Sequence, residues 1–465
     1  METLQRTANR GSVSTGYEIG NSYKNENDNA EKMTHTYDSA PTSQKKGTIS
    51  MWFKRTEISS NIGLFQFGDD ASGNYLALRW GRDIYGSLET YGMRIGGTNF
   101  SVGNTYGAVR DMSSFYHVVI AIDTTQATAT NRFKVYRNGV ELEWSTDNRS
   151  SITQDADLAI GENGKDVMIG EGVYKYNGYI AEVNYVDGQQ LTSTDFGEYD
   201  SDSGIWIPKK YTGTYGNNGF YLDFSNASNL GEDQSGNNHD FTLTNITAAD
   251  QATDTPTNNF CTWNPLWVYA SQPVISEGAT KVRYGDSTDE GAKATIGLTN
   301  GKWYWEAKPV GTIGSQYIGI QTDGDSNISS GANSFQNNYT MVINPTGRYY
   351  SYSDSQSESA DQGFDLTTSD WLGIALDMDS STQTIKYYKN GSLFLTRDLI
   401  SNMQGKTVFP FLMNYENRSW DINFGGYTIN TISSAASDAN GYGTFEYAPP
   451  SGYYALCTKN LAEYG

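Results

Sequence analysis

The stretch VVIAIDTTQATATNRFKVYRNGVELEW, Val118 to Trp144, is echoed far along the chain by LGIALDMDSSTQTIKYYKNGSLFL, Leu372 to Leu395. Each begins as an apolar run ending in an aspartate, Asp123 or Asp377. Each then passes through Thr, Ser and Gln and resumes as two alternating runs joined by Asn-Gly. Asn138-Gly139 and Asn390-Gly391 predict two-residue hairpins, because both central residues of a type I′ turn need positive φ and these residue types reach it at least cost. Around the first turn Phe133 and Val135 alternate with Lys134 and Tyr136, and Val140, Leu142 and Trp144 with Glu141 and Glu143. Ile385, Tyr387 and Phe394 mark the second. Period-two alternation predicts one buried and one wet face. Each copy therefore reads as a three-stranded antiparallel meander, and the shared I-A-(I/L)-D strand points to two related β-sandwich domains.

The composition agrees. A chain of 465 residues suggests two or three domains. Gly 49, Tyr 34 and Trp 10, with much Thr, Ser and Asn, favour short strands and tight turns. Charged residues make up 18%, too few for long salt-bridged helices. A net charge of −21 repels phosphate backbones and anionic lipid heads, so nucleic acid and membranes are not expected partners. The opening METLQRTANRGSVSTG lacks an apolar stretch, so no secretory signal is expected, and the longest apolar runs are strand-sized. The two cysteines, Cys261 and Cys457, exclude a disulfide framework and a cysteine zinc site. They stand at the two ends of the second strand-rich region, where terminal strands often adjoin, so their α-carbons are expected near one another with both thiols free.

Four segments follow from the pattern: an arm over 1–16 carrying Arg6 and Arg10, a strand-rich region over 17–230, a polar linker over 231–259, and a second strand-rich region over 260–465. TISMWFKR, FYHVVIAIDTTQATATNRFKVYRNG and GYIAEVNYVDGQQLTSTDFGEYDSDSGIWIPKKYTGTYGNNGFYLDFS resemble the laminin-G-like, concanavalin-A-like domains of marine bacteriophage tail and fibre proteins. TDTPTNNFCTWNPL, GKWYWEAK, WLGIALDMDSSTQTIKYYKNG, VFPF and APPSGYYALCTKNL are similar to a SPRY domain. The resemblance implies an all-β chain of two concanavalin-A-like jelly-roll sandwiches in tandem, and the echoed passage is the same central meander in each. It further implies a virion surface protein, of tail-fibre or receptor-binding type, that recognises a host glycan or protein without catalysis. The arm, through Arg6 and Arg10, would attach to other virion proteins, and the assembly would be a homo-oligomer with a trimer favoured. Capsid decoration is the alternative role and capsid exterior the alternative location; a tail glycanase is a more distant reading.

Chemistry is sparse. Glycanases of this fold carry Glu-X-Asp-X-(X)-Glu on one strand face. In AEVNYVDG, Glu182, Asn184 and Val186 share a face by alternation, so two of the three carboxylates are missing. The three histidines, His35, His117 and His239, follow no nucleophile elbow, and His117 reads as structural. Asp323, Asp325 and Asn327 have the first three spacings of a calcium loop, but Ile328 replaces the required glycine; calcium is the one cofactor this segment would admit. Trp52, Trp303, Trp305, Trp371 and Trp420 sit in strand patterns and are expected in the core. Trp80, Tyr85, Tyr91 and Tyr106, and the cluster Tyr349, Tyr350 and Tyr352, lie in turn-rich sequence, where exposed rings would stack on sugar faces.

Overall fold

The computed structural model describes residues 16–465 except 27–28, 58–60, 70–73, 82–88, 96–97, 106–108, 110, 171–175, 270–273, 284–288, 323–338, 354–355 and 416–417. The arm and its Arg6 and Arg10 lie outside the described residues. The chain divides into two compact units with the boundary between Thr257 and Asn258. Both are antiparallel β-sandwiches, and the α-helix among the described residues is the two-turn Thr458–Tyr464.

In the first unit one sheet runs in the order Val140–Glu141, Phe133–Arg137, Tyr116–Asp123, Lys46–Arg55, Gly178–Asp187, Ser22–Asn25, Gln251–Ala252, with Phe220–Leu222 also paired to Gly178–Asp187. The other runs Trp144–Asp147, Thr98–Thr105, Glu89–Ile95, Asn74–Gly81, Asn61–Asp69, Asp166–Ile169, Lys32–Thr36, Thr242–Thr244. Ile49, Met51 and Phe53 join the core between the sheets, as the alternation of KGTISMWFKR requires. The second unit pairs a seven-stranded sheet, from Trp263–Tyr269 to Gln356–Asp361, with an eight-stranded one centred on Lys302–Gly311 and Leu372–Asp377. Trp303, Trp305 and Trp420 are fully buried there, while Trp52 and Trp371 are buried at 5% exposure outside the main core clusters.

The echoed passages fold alike. Asn138 and Gly139 have φ of 45° and 86°, and Asn390 and Gly391 48° and 76°. Each asparagine also closes its hairpin by accepting a backbone N–H across the strand, from His117 at 2.8 Å and from Trp371 at 2.9 Å. Asp123 binds Thr125 and Gln126 of its turn, Asp377 binds Asp379 and Ser380, and each pairs with the lysine that opens the neighbouring strand, Lys46 or Lys302. The repeated aspartates are turn anchors.

Two expectations are corrected. The face predicted to be wet at the hairpin is so at half-buried Lys134 and exposed Glu141 and Glu143, with Tyr136 covered. Beside it Tyr116–Asp123 and Lys46–Arg55 are buried along nearly their whole length, because residues between Leu191 and Tyr215 pack Phe196, Tyr211 and Tyr215 across the outer side of the sheet. Val140, expected on the buried side, is 57% exposed at the sheet edge, and its arm ends at Glu141 before the chain crosses to the other sheet at Trp144. The stretch 231–259 is not a linker. Thr242–Thr244 and Gln251–Ala252 close both sheets of the first unit, and Asp254 forms an ion pair with Lys54 at 2.8 Å with both side chains fully buried. Its polarity satisfies buried backbone and charge, which polar composition alone cannot distinguish from solvation.

Cys261 and Cys457 are both buried and free. Phe260 bridges Cys457, and the Cys261 N–H donates to Leu456 O at 2.9 Å, so the terminal segments do adjoin. The thiols nevertheless enter different apolar clusters, and burial pushes Cys457 up to about 12.

Candidate functional site

The Gly178–Asp187 strand is bulged. Its register with Lys46–Arg55 slips between Ala181 and Asn184, which inserts one residue and places Glu182 at φ 51°. A side chain there costs about 1–2 kcal/mol relative to an ordinary strand residue. The bulge falls where the strand exchanges one neighbour, Ser22–Asn25, for another, Phe220–Leu222. Val183 and Tyr185 still enter the core, while Glu182 and Asn184 bond with groups on the outer side.

Three tyrosines meet these two residues. The Tyr221 hydroxyl donates to Glu182 Oε1 at 2.9 Å and lies 3.0 Å from Oε2, and the Tyr17 hydroxyl donates to Oε1 at 3.0 Å. The Tyr215 hydroxyl donates to Asn184 Oδ1 at 2.7 Å. Tyr215 and Tyr221 lie with planes 9° apart and centroids at 6.3 Å, and Tyr211 meets Tyr215 edge-on at 5.2 Å. Tyr17, Tyr211 and Tyr215 are half-buried and Glu182 keeps 7% exposure, so the glutamate is nearly buried within a cluster of partly exposed tyrosines. Burial pushes Glu182 up to about 7, against the phenol hydrogen bonds, with Asp223 adding to the rise. Burial beside Glu182 likewise drives Tyr215 and Tyr221 far above the usual phenol range, so they remain donors.

The second unit has a buried glutamate of another kind. Glu306 accepts the backbone N–H groups of Glu446 and Tyr447 at 2.8 Å each, plus Tyr304 at 3.1 Å and Asn423 at 3.3 Å. It has no exposed surface and fastens the C-terminal segment to its sheet, although burial also pushes it up to about 7. Four donors close that site; Glu182 has two phenols instead.

His117 is structural, as its sequence context suggests. Its ring stacks on Trp52 at 4.7 Å and Trp206 at 6.0 Å. The indole Nε1 of Trp206, which can only donate, lies 3.0 Å from Nδ1, so Nε2 carries the proton and donates to Ser50 Oγ at 2.8 Å. Burial holds the ring down at about 3.

The tyrosine cluster at 349–352 is a strand, not a loop. Arg348–Ser353 pairs on both edges, so alternate residues face opposite ways. Tyr349 is a core residue at 2% exposure; Tyr350 emerges on the outer face beside Tyr317 at 5.3 Å, near half-buried Trp267 and over buried Phe411 and Met413. Tyr352 shares the strand, and Trp80 and Tyr91 also fall on strands, Asn74–Gly81 and Glu89–Ile95; nothing further is described of these side chains. Tyr85, Tyr106, Asp323, Asp325 and Asn327 lie outside the described residues. Among the described residues no three His, Cys, Asp or Glu side chains are grouped as metal ligands. Reading by alternation placed Glu182 beside Asn184 but missed the tyrosines, which come from 165 and 39 residues away in the chain.

Residues 27–195, which include Glu182 and Asn184, match the Laminin_G_3 family, described as the concanavalin A-like lectin/glucanases superfamily. Similar solved structures include the SPRY domain of human HERC1, at 15% identity over 36% of this chain and 99% of that one with a TM-score of 0.28. The heptameric SAP-like pentraxin of Limulus polyphemus shares 15% over 38% and 81%, with a TM-score of 0.28. The carbohydrate-binding module CBM66 of Bacillus subtilis shares 8% over 37% and 95%, with a TM-score of 0.26. None of the curated proteins matches the chain. The chain is an all-β protein with a laminin-G-like, concanavalin-A-like domain, and SPRY domains are among its structural neighbours.

Proposed function

We propose that this protein recognises carbohydrate without catalysis, as a surface component of a bacteriophage particle that contacts the host cell. The observation that carries the reading is the tyrosine cluster around Glu182 and Asn184. Half-buried aromatic rings offer stacking faces, and the carboxyl and amide among them offer polar partners for sugar hydroxyls. The family matched over 27–195 is a lectin and glucanase superfamily, which fits sugar as the ligand class. Against a glucanase, the residue that partners Glu182 on the outer side is the amide of Asn184, so that strand lacks the second carboxylate of an acid–nucleophile pair. The aromatic face at Tyr350, Tyr317 and Trp267 is a second candidate surface in the other unit.

The phage assignment rests on the sequence motifs of both halves, and attachment through the arm at Arg6 and Arg10 belongs to the same proposal. A trimer would multiply a weak single-site affinity by about 10²–10⁴. A role in coating the capsid is the second reading, favoured by the lack of heptads or short repeats for a fibre shaft. Glycan-array binding, repeated with Tyr215→Ala, tests the site: loss of signal is expected, and unchanged binding refutes this location. Locating the protein on virions and blocking adsorption with free protein separates the two roles. Tail placement with blocked adsorption supports receptor binding, and capsid placement with unaffected adsorption rejects it.

A further inference from the structure

We infer that Lys24 and Asp250 condense into an isopeptide bond with Glu31 as the proton carrier, so that an amide fastens the first strand of the first unit to the turn leading into its last.

Three titratable side chains from separate parts of the chain meet here out of water. Lys24 lies on Ser22–Asn25, Glu31 stands just before Lys32–Thr36, and Asp250 ends the 3₁₀ turn Ala248–Asp250. Their side chains are 1%, 2% and 10% exposed, and Lys24 Nζ is 3.2 Å from Glu31 Oε1 and 3.0 Å from Asp250 Oδ1. Tyr23 enters the core, so strand alternation turns Lys24 to the outer side, in register with Tyr179 and Lys54 on the next two strands. Lys54 forms a buried ion pair with Asp254 at 2.8 Å, whereas Lys24 has two carboxylates in contact. When all three groups ionise, one ammonium between two carboxylates leaves excess negative charge in the interior, which is costly. Condensation replaces the ammonium and one carboxylate by a neutral amide, and burial pushes the remaining Glu31 carboxyl up toward its neutral form.

The positions suit the reaction. Groups held about 3–3.5 Å apart react as an intramolecular pair, with the entropy of encounter already lost on folding. Asp250 Oδ2 accepts the Thr247 N–H at 2.8 Å and the Thr247 hydroxyl at 3.3 Å, two donors fixed by a capping box and aimed where an oxyanion forms. A proton first passes from the ammonium to Asp250 Oδ1, giving a neutral amine and a neutral acid, the forms that burial favours. The Nζ lone pair then attacks Cγ, and the carbonyl electrons move onto Oδ2. Glu31 takes a second proton from the nitrogen and passes it to the Oδ1 hydroxyl, which leaves with the C–O electron pair as water. Glu31 ends as it began, and an ammonium and a carboxylate have become an amide and water. Asp250 is the electrophile because it stands nearer the amine, while Glu31 Oε1 is shared with Asn29 Nδ2 at 3.1 Å. Ser22–Asn25 and Gln251–Ala252 are paired through Ser22↔Ala252 and Tyr23↔Gln251. With the amide in place, tension between the two ends of the unit runs through covalent bonds past this short pairing.

Mass spectrometry of the full chain, folded and then denatured, tests this. The unaltered protein should weigh one water less than its sequence requires, with any loss of Met1 allowed for, and Lys24→Arg should restore the full mass. A tryptic digest should show no cleavage after Lys24 and a branched fragment that joins Lys24 to Asp250. Glu31→Gln, shown to be folded by circular dichroism, should keep the full mass, because general acid–base help contributes about 10²–10⁴-fold in rate. Full mass in the unaltered, folded protein overturns the inference whatever the variants do. A missing water that persists in Lys24→Arg lies elsewhere and overturns it as well. A branch from Lys24 to Glu31 overturns the choice of Asp250 as electrophile, and a linked Glu31→Gln overturns the role of Glu31 as proton carrier.

Discussion

Acid should destabilise the first unit through His117. The neutral ring is locked between an indole donor on Nδ1 and a serine on Nε2, so a second ring proton would point at the Trp206 N–H. Its pKa falls from 6.5 to about 3 on folding. A folded pKa below the unfolded one means the contribution is whole above 6.5 and is lost as pH drops from there toward 3. Near pH 4 the unfolded histidine is charged and the folded one is not, which costs about 3 kcal/mol at 1.36 kcal/mol per pH unit. Other groups titrate over the same range, so the informative quantity is the difference from His117→Gln, whose amide can accept from Trp206 and donate to Ser50 but does not titrate. Urea unfolding of both proteins, followed by tryptophan fluorescence at pH 7.5 and pH 4, gives that difference. The substitution should be destabilising at pH 7.5, and the gap should shrink by about 3 kcal/mol at pH 4. A gap that does not change with pH would refute the neutral, Trp206-locked ring.

Lys54→Met should cost about 3–5 kcal/mol by stranding Asp254 in the interior, and Lys54→Met with Asp254→Leu should recover most of it; equal loss in both variants would deny the pair its role. Gly391→Ala must hold φ 76° with its new β-carbon against the Tyr447 ring, so it should lower stability by at least about 2 kcal/mol by calorimetry. Glu306→Ala removes the acceptor for two backbone N–H groups, and hydrogen exchange should accelerate at Glu446 and Tyr447 before the rest of the unit opens. Neither thiol should react with a disulfide reagent in the native protein, and both should react in denaturant.

The hairpins were legible because their causes are local. Asn-Gly answers a φ requirement within two residues, and an alternating run chooses its faces without reference to anything distant. The same logic applied to Tyr349 and Tyr350 would have separated them, one inward and one outward; the Tyr-Ser sequence beside Gly347 concealed a strand whose edges are both paired. The segment 231–259 was misread because Asp, Asn and Thr look alike whether they meet water or buried backbone, and only the placement of Lys54 against Asp254 tells the two apart.

By itself, then, the sequence determined the class of fold, the doubled meander and the turns that close it, since alternation and turn chemistry act over a few residues. It also placed Glu182 beside an amide instead of a second carboxylate. Tertiary structure alone decided that Glu182 is buried, set in a left-handed bulge and ringed by tyrosines, because Tyr17 and Tyr221 reach it from opposite ends of the unit. It decided as well that Glu306 takes backbone N–H groups while Glu182 takes phenols. That distinction depends on which backbone N–H groups arrive at a carboxyl, and chain connectivity brings those groups from 140 residues away in one case and not in the other.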